Sequence, residues 1–323
     1  MKTGLVLGKF APLHRGHQYV IETALQQVEQ LYIMVYACDE LPDIPMDQRI
    51  GWIEKLYPEA QVIPAPDGPR ETGYTDSVMA AQEDYILKKV NGVKIDAFFS
   101  SEPYGAYVSR ALNAVDCRVD EARENFPVSA SQIRQDAFKN KKFIPSTVYE
   151  DLIEKIVFLG APSTGKTTTS RALAKELNTE WVAEYGRTYW EENQSDRRLT
   201  PEQLLYIATT HNSIEDETAL QANKYLICDT NAFTTWHFAI SYHDSALAEL
   251  EQLADKCKER YKYVFLCADD IPYEDTWERS GEGNRKEFQD FLVDELSRRE
   301  IPYIELRGSL AERIEVVLTA LAK

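Results

Sequence analysis

Short apolar runs alternate with amphipathic segments along the whole chain, and this alternation predicts strands and helices in turn. In the first half, runs rich in β-branched and aromatic residues predict strands at 3–8, 31–37, 61–64, 95–100 and 117–119. Helical patterns occupy 16–29, 47–57, 76–90 and 104–113, and one further helix begins near Ser129. Repetition of strand, helix and strand predicts a parallel sheet with helices on both faces.

The pattern restarts in the second half. A buried strand is predicted at 154–160, followed by the helix "KTTTSRALAKEL", and later strands are predicted at 180–184, 224–228, 261–267 and 301–306. The joining segment "NKKFIPSTVYEDLIEK" carries a lysine run and Pro145, which mark the domain boundary. We therefore predict an α/β protein with two doubly wound parallel-sheet domains, 1–145 and 150–323.

Composition and charge narrow the class of protein. With 323 residues, 44% of them hydrophobic, the chain is long enough for two domains with cores. A formal net charge of −17 argues against a nucleic-acid surface, which needs a basic face. No apolar stretch approaches the ~20 residues needed to cross a bilayer, and no signal peptide is recognisable, so we expect a cytoplasmic protein that is not membrane-embedded. The five scattered cysteines indicate buried free thiols rather than disulfides or zinc ligands.

A phosphate-binding signature opens the second half. "GAPSTGKTT" (160–168) fits G-x-x-x-x-G-K-[ST] between a hydrophobic strand and a helix, a context that disfavours a chance glycine-rich turn. Lys166 is expected to reach the β- and γ-phosphates of a nucleotide, and the Thr167 hydroxyl to bind Mg²⁺. The residues predicted to bind ATP here are Gly160, Ser163, Thr164, Gly165, Lys166, Thr167 and Thr168.

Two acidic residues follow strands of the second half. Glu184 comes after "EWVA" and Asp229 after "KYLIC", at strand ends where parallel sheets bind ligands. One would hold Mg²⁺ and the other would take the proton from an acceptor hydroxyl; helix capping is the alternative, which fits Asp229 on its own. Their positions favour Asp229 near the metal and Glu184 near the acceptor.

Two arginines flank a glycine-rich turn in "WERSGEGNRKEF" (277–288). Arg279 and Arg285 would close over the phosphates and stabilise transition-state charge if this segment moves. The alternative is a solvated loop that leads into a helix at 285–299.

Two histidines stand close together in "GKFAPLHRGH" (8–17), directly after the first strand. His14 and His17 would share one face of a helix, and Gly16 between them would let a ligand approach the backbone. Metal binding would need a third ligand, yet the other histidines lie in the second half. Core packing is disfavoured because the apolar stripe of this helix is supplied by Val20, Ile21, Ala24, Leu25 and Val28. Phosphate binding is the remaining interpretation.

The same stretch resembles the nucleotide-binding signature of the nucleotidylyltransferase superfamily. That superfamily has a second, helix-opening motif, I-S-x-x-x-x-R, and here "VSASQIR" places Ser129 and Arg134 at the corresponding positions, with Val128 in place of Ile. The resemblance implies a Rossmann-like nucleotidylyltransferase domain followed by a P-loop kinase domain. It also implies ATP contacts in the first half from Gly8, Lys9, Phe10, His14, His17, Ser129 and Arg134.

This order of domains resembles the NadR family, which joins a nicotinamide-mononucleotide (NMN) adenylyltransferase to a ribosylnicotinamide kinase. Further similar stretches are "FSSEPYG", "VDEAREN", "AEYGRTYW", "CDTNAFTTW" and "RKEFQDFLVDEL", so the resemblance covers essentially the whole chain. Some members begin with a helix-turn-helix DNA-binding module, whereas the first predicted strand here starts at residue 3. Together with the acidic charge, this leads us to expect no nucleic-acid partner.

The resemblance implies that the second half transfers the γ-phosphoryl group of ATP to the 5′-hydroxyl of nicotinamide riboside, giving NMN, with Mg²⁺ as cofactor. Candidate contacts for the riboside are Glu184, Tyr185, Arg187, Asp229 and Trp236. An aromatic face among them would suit the cationic nicotinamide ring.

In the first half, the resemblance implies that the NMN phosphate attacks the α-phosphorus of a second ATP, giving NAD and pyrophosphate. Catalysis would then consist of positioning and charge neutralisation by His14, His17, Lys9 and Arg134.

The candidate NMN contacts are Arg49 and Trp52 in "DQRIGWIEKL", together with Ser101 and Glu102 at a strand end. A core position explains Trp52 equally well. An enzyme with one working half and a nucleotide sensor remain as alternatives, both disfavoured by the intact motifs, and a homo-oligomer is left open.

Overall fold

The first of two five-stranded parallel sheets lies within residues Met1–Tyr149. The computed structural model describes residues 1–71, 73–273 and 282–322. The strands of this unit are β1 (Thr3–Gly8), β2 (Gln30–Tyr36), β3 (Gln61–Ala65), β4 (Ala97–Ser100) and β5 (Val115–Arg118). Its helices are α1 (Arg15–Leu25), α2 (Met46–Leu56), α3 (Asp76–Lys89), α4 (Gly105–Leu112) and α5 (Ala130–Gln135), followed by a 3₁₀ turn at Lys141–Phe143. Helix α6 (Ser146–Asp151) spans the end of the unit.

Strand β1 is the centre of this sheet. The strand order is β3-β2-β1-β4-β5, so the chain crosses from one side of β1 to the other between β3 and β4. Leu5 of β1 is fully buried and packs in a core with Met34 of β2 and Phe98 of β4. Reversal of strand order beside β1 opens a crevice at the carboxyl ends of β1 and β4, where such sheets bind ligands.

The second sheet lies within Glu150–Lys323. Its strands are β6 (Glu154–Leu159), β7 (Trp181–Val182), β8 (Tyr225–Asp229), β9 (Tyr263–Cys267) and β10 (Ile304–Leu306). Its helices are α7 (Lys166–Glu176), α8 (Tyr185–Asn193), α9 (Pro201–Ala219), α10 (Ala232–His243), α11 (Ala248–Asp255), α12 (Cys257–Arg260), α13 (Glu282–Arg298) and α14 (Leu310–Leu321).

Strand β6 is central in the order β10-β9-β6-β8-β7. Phe158 of β6 is paired with Asp229 at the end of β8 and with Phe265 of β9, so three strands end beside one another. Phe158 and Phe265 stack in the core of this unit with their ring centroids 5.5 Å apart. The fold class expected from the alternation, two parallel-sheet α/β units, is confirmed.

Several predicted elements are shorter in the structure. The strand expected at 301–306 is confined to Ile304–Leu306, because Pro302 has no backbone N–H for a sheet ladder. The helix that begins near Ser129 ends at Gln135, where Asp136 is extended and its carboxylate accepts from the Lys139 backbone N–H at 2.9 Å. All five cysteines are free, and four of them are buried. Among the described residues, no helix is both long and apolar enough to span a membrane.

Candidate active sites

The two histidines of "GKFAPLHRGH" lie face to face where the first loop enters α1. His14 is the N-cap, and its Nδ1 accepts a hydrogen bond from the Gly16 backbone N–H at 3.1 Å. The His14 and His17 rings stack with their centroids 3.7 Å apart. Phe10, in the left-handed region at φ 51°, packs its ring edge-on against His17 at 5.0 Å. The loop therefore presents both imidazoles on one surface at the carboxyl end of β1.

Both imidazoles are neutral near pH 7. Burial and the Arg123 charge lower the pKa of His14 to about 4. Burial, His14 and Arg123 lower the pKa of His17 well below its usual value. Because Nδ1 of His14 is an acceptor, its proton is on Nε2, which makes the ring a neutral hydrogen-bond donor. Nδ1 of His17 is buried without a hydrogen-bond partner.

A cleft of about 680 Å³ opens beside these histidines, and we call it the first cleft. Of the residues predicted to bind ATP or NMN, six line it: Gly8, Lys9, Phe10, His17, Ser101 and Glu102. Its far end is aromatic, with Tyr36, Tyr74, Tyr104 and Tyr107 in the wall. The hydroxyl of Tyr36 is buried without a hydrogen-bond partner.

The second motif of the first half, "VSASQIR", is hydrogen-bonded to the loop that carries His14. Ser129 is the N-cap of α5 and forms a capping box with Gln132. Arg134 Nη1 donates to the Ala11 carbonyl at 2.6 Å, and Nη2 donates to the Ser131 hydroxyl at 3.0 Å. Ser129 thus orients the helix that carries Arg134, and Arg134 holds the loop that leads to His14.

Arg49 and Trp52, two of the predicted NMN contacts, do not line the first cleft. Each is only 2% exposed. Arg49 Nη1 donates to the carbonyls of Lys9 (2.6 Å) and Tyr36 (2.8 Å), so its guanidinium satisfies backbone acceptors at the ends of two strands. Trp52 lies in the core, as the alternative interpretation held. Packing of α2 on the sheet uses both side chains, which disfavours the predicted contact with NMN.

In the second half, the phosphate loop has the backbone conformation that its glycines predict. Gly160 and Gly165 have φ values of 143° and 82°, which side chains with a Cβ rarely adopt. A Cβ on Gly160 would also lie 2.7 Å from the Cys267 carbonyl oxygen. Lys166 Nζ donates to the Ala161 carbonyl at 3.0 Å, which folds the ammonium back over the loop where phosphates bind.

The hydroxyl of Thr167 and the carboxylate of Asp229 meet at the end of β8. Thr167 Oγ1 donates to Asp229 Oδ2 at 2.6 Å, while Asp229 Oδ1 is buried without a partner. Burial and the Glu184 charge raise the pKa of Asp229 to about 6. Among the residues that the structure describes, no cluster of three or more His, Cys, Asp or Glu side chains could hold a metal ion. A cation between Thr167 and Asp229 would need further ligands from phosphate and water.

A second cleft, of about 430 Å³, continues from this loop. The predicted residues in its lining are Gly160, Ser163, Thr164, Gly165, Lys166, Thr167, Thr168, Glu184 and Arg187. Its walls are completed by aromatic and aliphatic side chains, including Trp190, Phe238 and Phe288. Glu184 is therefore in the same cleft as Lys166, as expected for a group that acts on an acceptor hydroxyl.

Trp236 and Tyr185, both predicted to contact the riboside, do not line the second cleft. Trp236 is 4% exposed, its indole N–H donates to Glu251, and the Arg299 guanidinium lies 4.2 Å from its ring centroid. Tyr185 packs against Tyr189 with ring centroids 6.1 Å apart. Burial of the Trp236 side chain disfavours the predicted contact with the riboside.

The buried side chain of Arg285 contacts the phosphate loop. It is 5% exposed and donates to the carbonyls of Ile271 (3.0 Å) and Ser163 (3.2 Å). These hydrogen bonds engage its guanidinium with the chain, and its closure over the phosphates stays a prediction. Arg279, the other predicted arginine, lies outside the described residues.

Sequence reasoning missed two side chains that brace the same loop. Arg313 Nη1 donates to the Thr164 carbonyl at 2.6 Å, and Gln289 Oε1 accepts from the Ala161 backbone N–H at 2.8 Å. Arg313 comes from α14 and Gln289 from α13, and they lie 149 and 128 residues from their partners. Both side chains are polar and almost fully buried. A polar residue on an otherwise apolar face of a predicted helix is the sequence feature that could have indicated them.

Comparison with known proteins also divides the chain into two parts, as the two sheets do. A family described as "Cytidylyltransferase-like" matches residues 5–136, and one described as "AAA domain" matches residues 155–313. The trifunctional NAD biosynthesis/regulator protein NadR of Escherichia coli (strain K12) is 28% identical over 94% of this chain and 78% of its own length. The protein of the same name from Salmonella typhimurium is also 28% identical, with the same coverage. The chain is therefore similar to NadR proteins over nearly its whole length.

Solved NadR structures share the fold. A crystal structure of NadR protein in complex with NAD and AMP-PNP superimposes with a TM-score of 0.61 and 20% identity, covering 99% of this chain and 95% of that one. A NadR structure in complex with NR gives a TM-score of 0.59 and 22% identity, covering 95% of this chain and 89% of that one. These superpositions confirm the fold of two parallel-sheet α/β units.

Proposed function

We propose that this protein is a bifunctional NAD-salvage enzyme. Residues 150–323 phosphorylate nicotinamide riboside to NMN, and residues 1–145 transfer the adenylyl group of ATP to NMN, giving NAD and pyrophosphate. One observation carries the proposal: each of the two sheets ends its central strand in its own phosphate-binding loop with its own cleft. Relatives named for NAD biosynthesis, and NadR structures that hold NAD, AMP-PNP and NR, support these substrates. Because both reactions consume ATP, we assign the enzyme to the cytoplasm.

In the kinase reaction, the loop amides and Lys166 bind and orient the triphosphate. Asp229 Oδ1, which is buried without a partner, and the Thr167 hydroxyl are oxygen ligands that fit Mg²⁺. When bound, Mg²⁺ neutralises charge on the β- and γ-phosphates. Glu184 lines the same cleft as Lys166 and takes the proton of the 5′-hydroxyl of the riboside. The hydroxyl oxygen bonds to the γ-phosphorus, and the bond between that phosphorus and the ADP oxygen breaks.

Riboside binding is assigned to the aromatic wall of the second cleft. Trp190, Phe238 and Phe288 line it, in place of the enclosed Trp236. An aromatic face attracts a cationic nicotinamide ring, and a desolvated contact of this kind is worth about 2 kcal/mol.

In the adenylyl transfer, an oxygen of the NMN phosphate bonds to the α-phosphorus of ATP while the bond to the bridging oxygen breaks and pyrophosphate leaves. His14 and His17 are neutral donors that stabilise charge on the phosphates without a proton transfer. Lys9, in the lining of the cleft, adds a cation. Arg134 contributes by holding the Ala11 carbonyl and so the position of the loop.

NMN binding is assigned to the aromatic end of the first cleft. Four tyrosines there replace Arg49 and Trp52 as the candidates: Tyr36, Tyr74, Tyr104 and Tyr107. Ser101 and Glu102 also line the first cleft, and we assign them to the sugar hydroxyls of a bound nucleotide.

The direct test follows the products. The full-length protein is incubated with Mg-ATP and nicotinamide riboside, and NMN, NAD, ADP and pyrophosphate are measured by chromatography. We expect NMN and ADP first, followed by NAD and pyrophosphate in equal amounts. Phosphorylation of another nucleoside with no NMN and no NAD would overturn the substrate assignment.

A further inference from the structure

One face of α9 forms part of the second cleft. Leu204, Ile207 and His211 line the cleft at the spacing of a single helix face. All three are buried, and His211 is 3% exposed. An imidazole at the end of an aliphatic wall needs hydrogen-bond partners, because burial without them costs free energy. The mechanism above gives this ring no role.

Behind His211 lies a buried carboxylate. Glu215, one turn further along α9, is fully buried, and its Oε1 is 3.3 Å from His211 Nε2. The Tyr261 hydroxyl donates to the same oxygen at 2.7 Å, and Arg260 Nε donates to Oε2 at 2.7 Å. Burial opposes ionisation of Glu215, but His211 and Arg260 hold its pKa below the usual value. Glu215 is therefore an anion held by hydrogen bonds from Tyr261 and Arg260, and His211 Nε2 lies beside it, buried without a hydrogen-bond partner among the described residues.

The carboxylate determines which nitrogen of His211 carries the proton. An ionised carboxylate can only accept hydrogen bonds, so it needs a donor at Nε2, the His211 nitrogen that lies 3.3 Å from Glu215 Oε1. The other nitrogen, Nδ1, is then left as the hydrogen-bond acceptor of the imidazole, and the ring that bears it lines the cleft. An acceptor set among Leu204 and Ile207 is best satisfied by a hydrogen-bond donor on a bound molecule.

We propose that His211 is a specificity-determining residue whose Nδ1 accepts a hydrogen bond from the nucleoside, with Glu215 as the residue that positions the ring. The proposal rests on the proposed kinase function, because it requires a nucleoside in the second cleft. Nicotinamide riboside offers two classes of donor, the carboxamide N–H groups and the sugar hydroxyls. A buried acceptor rejects analogues that lack the matching donor, since it is then left unpaired.

Two substitutions separate the nitrogens of His211. The amide of Asn lies near the position of Nδ1, so His211→Asn keeps an acceptor toward the cleft. The amide of Gln lies near the position of Nε2, so His211→Gln keeps the contact with Glu215 and loses that acceptor. We expect His211→Gln to raise KM for the riboside about tenfold with KM for ATP unchanged, and His211→Asn to raise it less.

Substrate analogues identify the donor. The full-length protein and His211→Gln are assayed with the riboside, with its 3-carboxylate analogue, and with its 2′-deoxy and 3′-deoxy analogues. For one analogue, kcat/KM of the wild type should be about tenfold lower than for the riboside, whereas kcat/KM of His211→Gln should be the same for both. Equal losses in both proteins for every analogue would overturn the proposal, as would a change in KM for ATP alone.

The positioning role of Glu215 has its own readout. Glu215→Gln no longer fixes the tautomer of His211, so KM for the riboside should rise while kcat is retained. A fall in kcat with KM unchanged would contradict this role. Adenylyl transfer from supplied NMN checks that each variant is folded. If the wild type phosphorylates a different nucleoside, the proposed function fails, and the same comparison on that nucleoside still tests His211.

Discussion

The Thr167 hydroxyl donates a hydrogen bond of 2.6 Å to Asp229 Oδ2, which joins the start of α7 to the end of β8. The second oxygen of Asp229 is buried without a partner, and burial together with Glu184 raises the pKa of this carboxyl to about 6. An aspartate kept this costly to ionise is poised for a cation. In the absence of a cation it reduces the stability of the folded protein.

The pH dependence of stability tests this cost. The usual pKa of Asp is 3.8, so between that value and about 6 the folded state keeps a proton that the unfolded state has lost. The free energy of unfolding therefore falls as the pH rises through 6. Asp229→Asn removes the cost, and we expect the variant to gain about 1.4 kcal/mol relative to the wild type between about pH 5 and pH 8.

The measurement is chemical denaturation of the second unit in EDTA at both pH values. Added Mg²⁺ should stabilise the wild type and not Asp229→Asn. A difference between the two proteins that is the same at both pH values would contradict the raised pKa.

Acid should destabilise the first unit through His14. Its pKa is lowered from 6.5 to about 4 in the folded state, so between these values only the unfolded state takes up the proton, and stability is lost as the pH falls. His14→Asn is a matched variant, because Asn is a good N-cap and does not titrate. We expect its loss of unfolding free energy between about pH 7 and pH 5 to be smaller by about 1–2 kcal/mol. Equal losses in denaturation experiments would show that His14 is already charged or exposed.

The reassignment of NMN binding is tested by two aromatic residues of the first unit. Trp52 is buried outside the cleft, so Trp52→Phe should cost about 1–3 kcal/mol of stability and leave KM for NMN unchanged. Tyr74 lines the cleft and is 60% exposed, so Tyr74→Ala should leave stability unchanged and raise KM for NMN about fivefold. Steady-state kinetics with NMN varied, and melting curves for both variants, distinguish the roles. The reverse pattern would restore Trp52 as a ligand contact.

Much of the two sites could be predicted from the sequence, because short-range chemistry determines them. Gly160 and Gly165 are needed for positive φ in the phosphate loop, and Asp229 follows a run that can only be a buried strand. The stacked pair His14 and His17 likewise depends on the entry into one helix. Each of these features is determined within about ten residues of chain.

Side-chain direction on α10 could not be predicted in this way. The helix is apolar around its whole circumference, and Trp236 and Phe238 are two positions apart, about 200° around the axis. Phe238 lines the second cleft, whereas Trp236 packs against Arg299, directly after α13, and donates to Glu251 of α11. Which residue meets the ligand therefore depends on helices that come later in the chain, and a local pattern does not contain that information.

Arg49 shows the same limit in a charged residue. The sequence makes Arg49 a candidate contact for NMN, yet its Nη1 donates to the carbonyls of Lys9 and Tyr36. These carbonyls come from two other segments of the chain. The need for a hydrogen-bond donor at position 49 is therefore visible only in the assembled sheet.

The central claim is that two independent sites catalyse two reactions, and paired variants test it most directly. His17→Ala and Lys166→Ala are each given Mg-ATP with nicotinamide riboside, and separately with NMN, and NMN and NAD are measured over time. Because one phosphate donor is worth about 3 kcal/mol in a transition state, each loss should exceed 100-fold. We predict that His17→Ala accumulates NMN without NAD, and that Lys166→Ala makes NAD from NMN at the wild-type rate but forms no NMN. Parallel loss of both reactions in either variant would contradict the account.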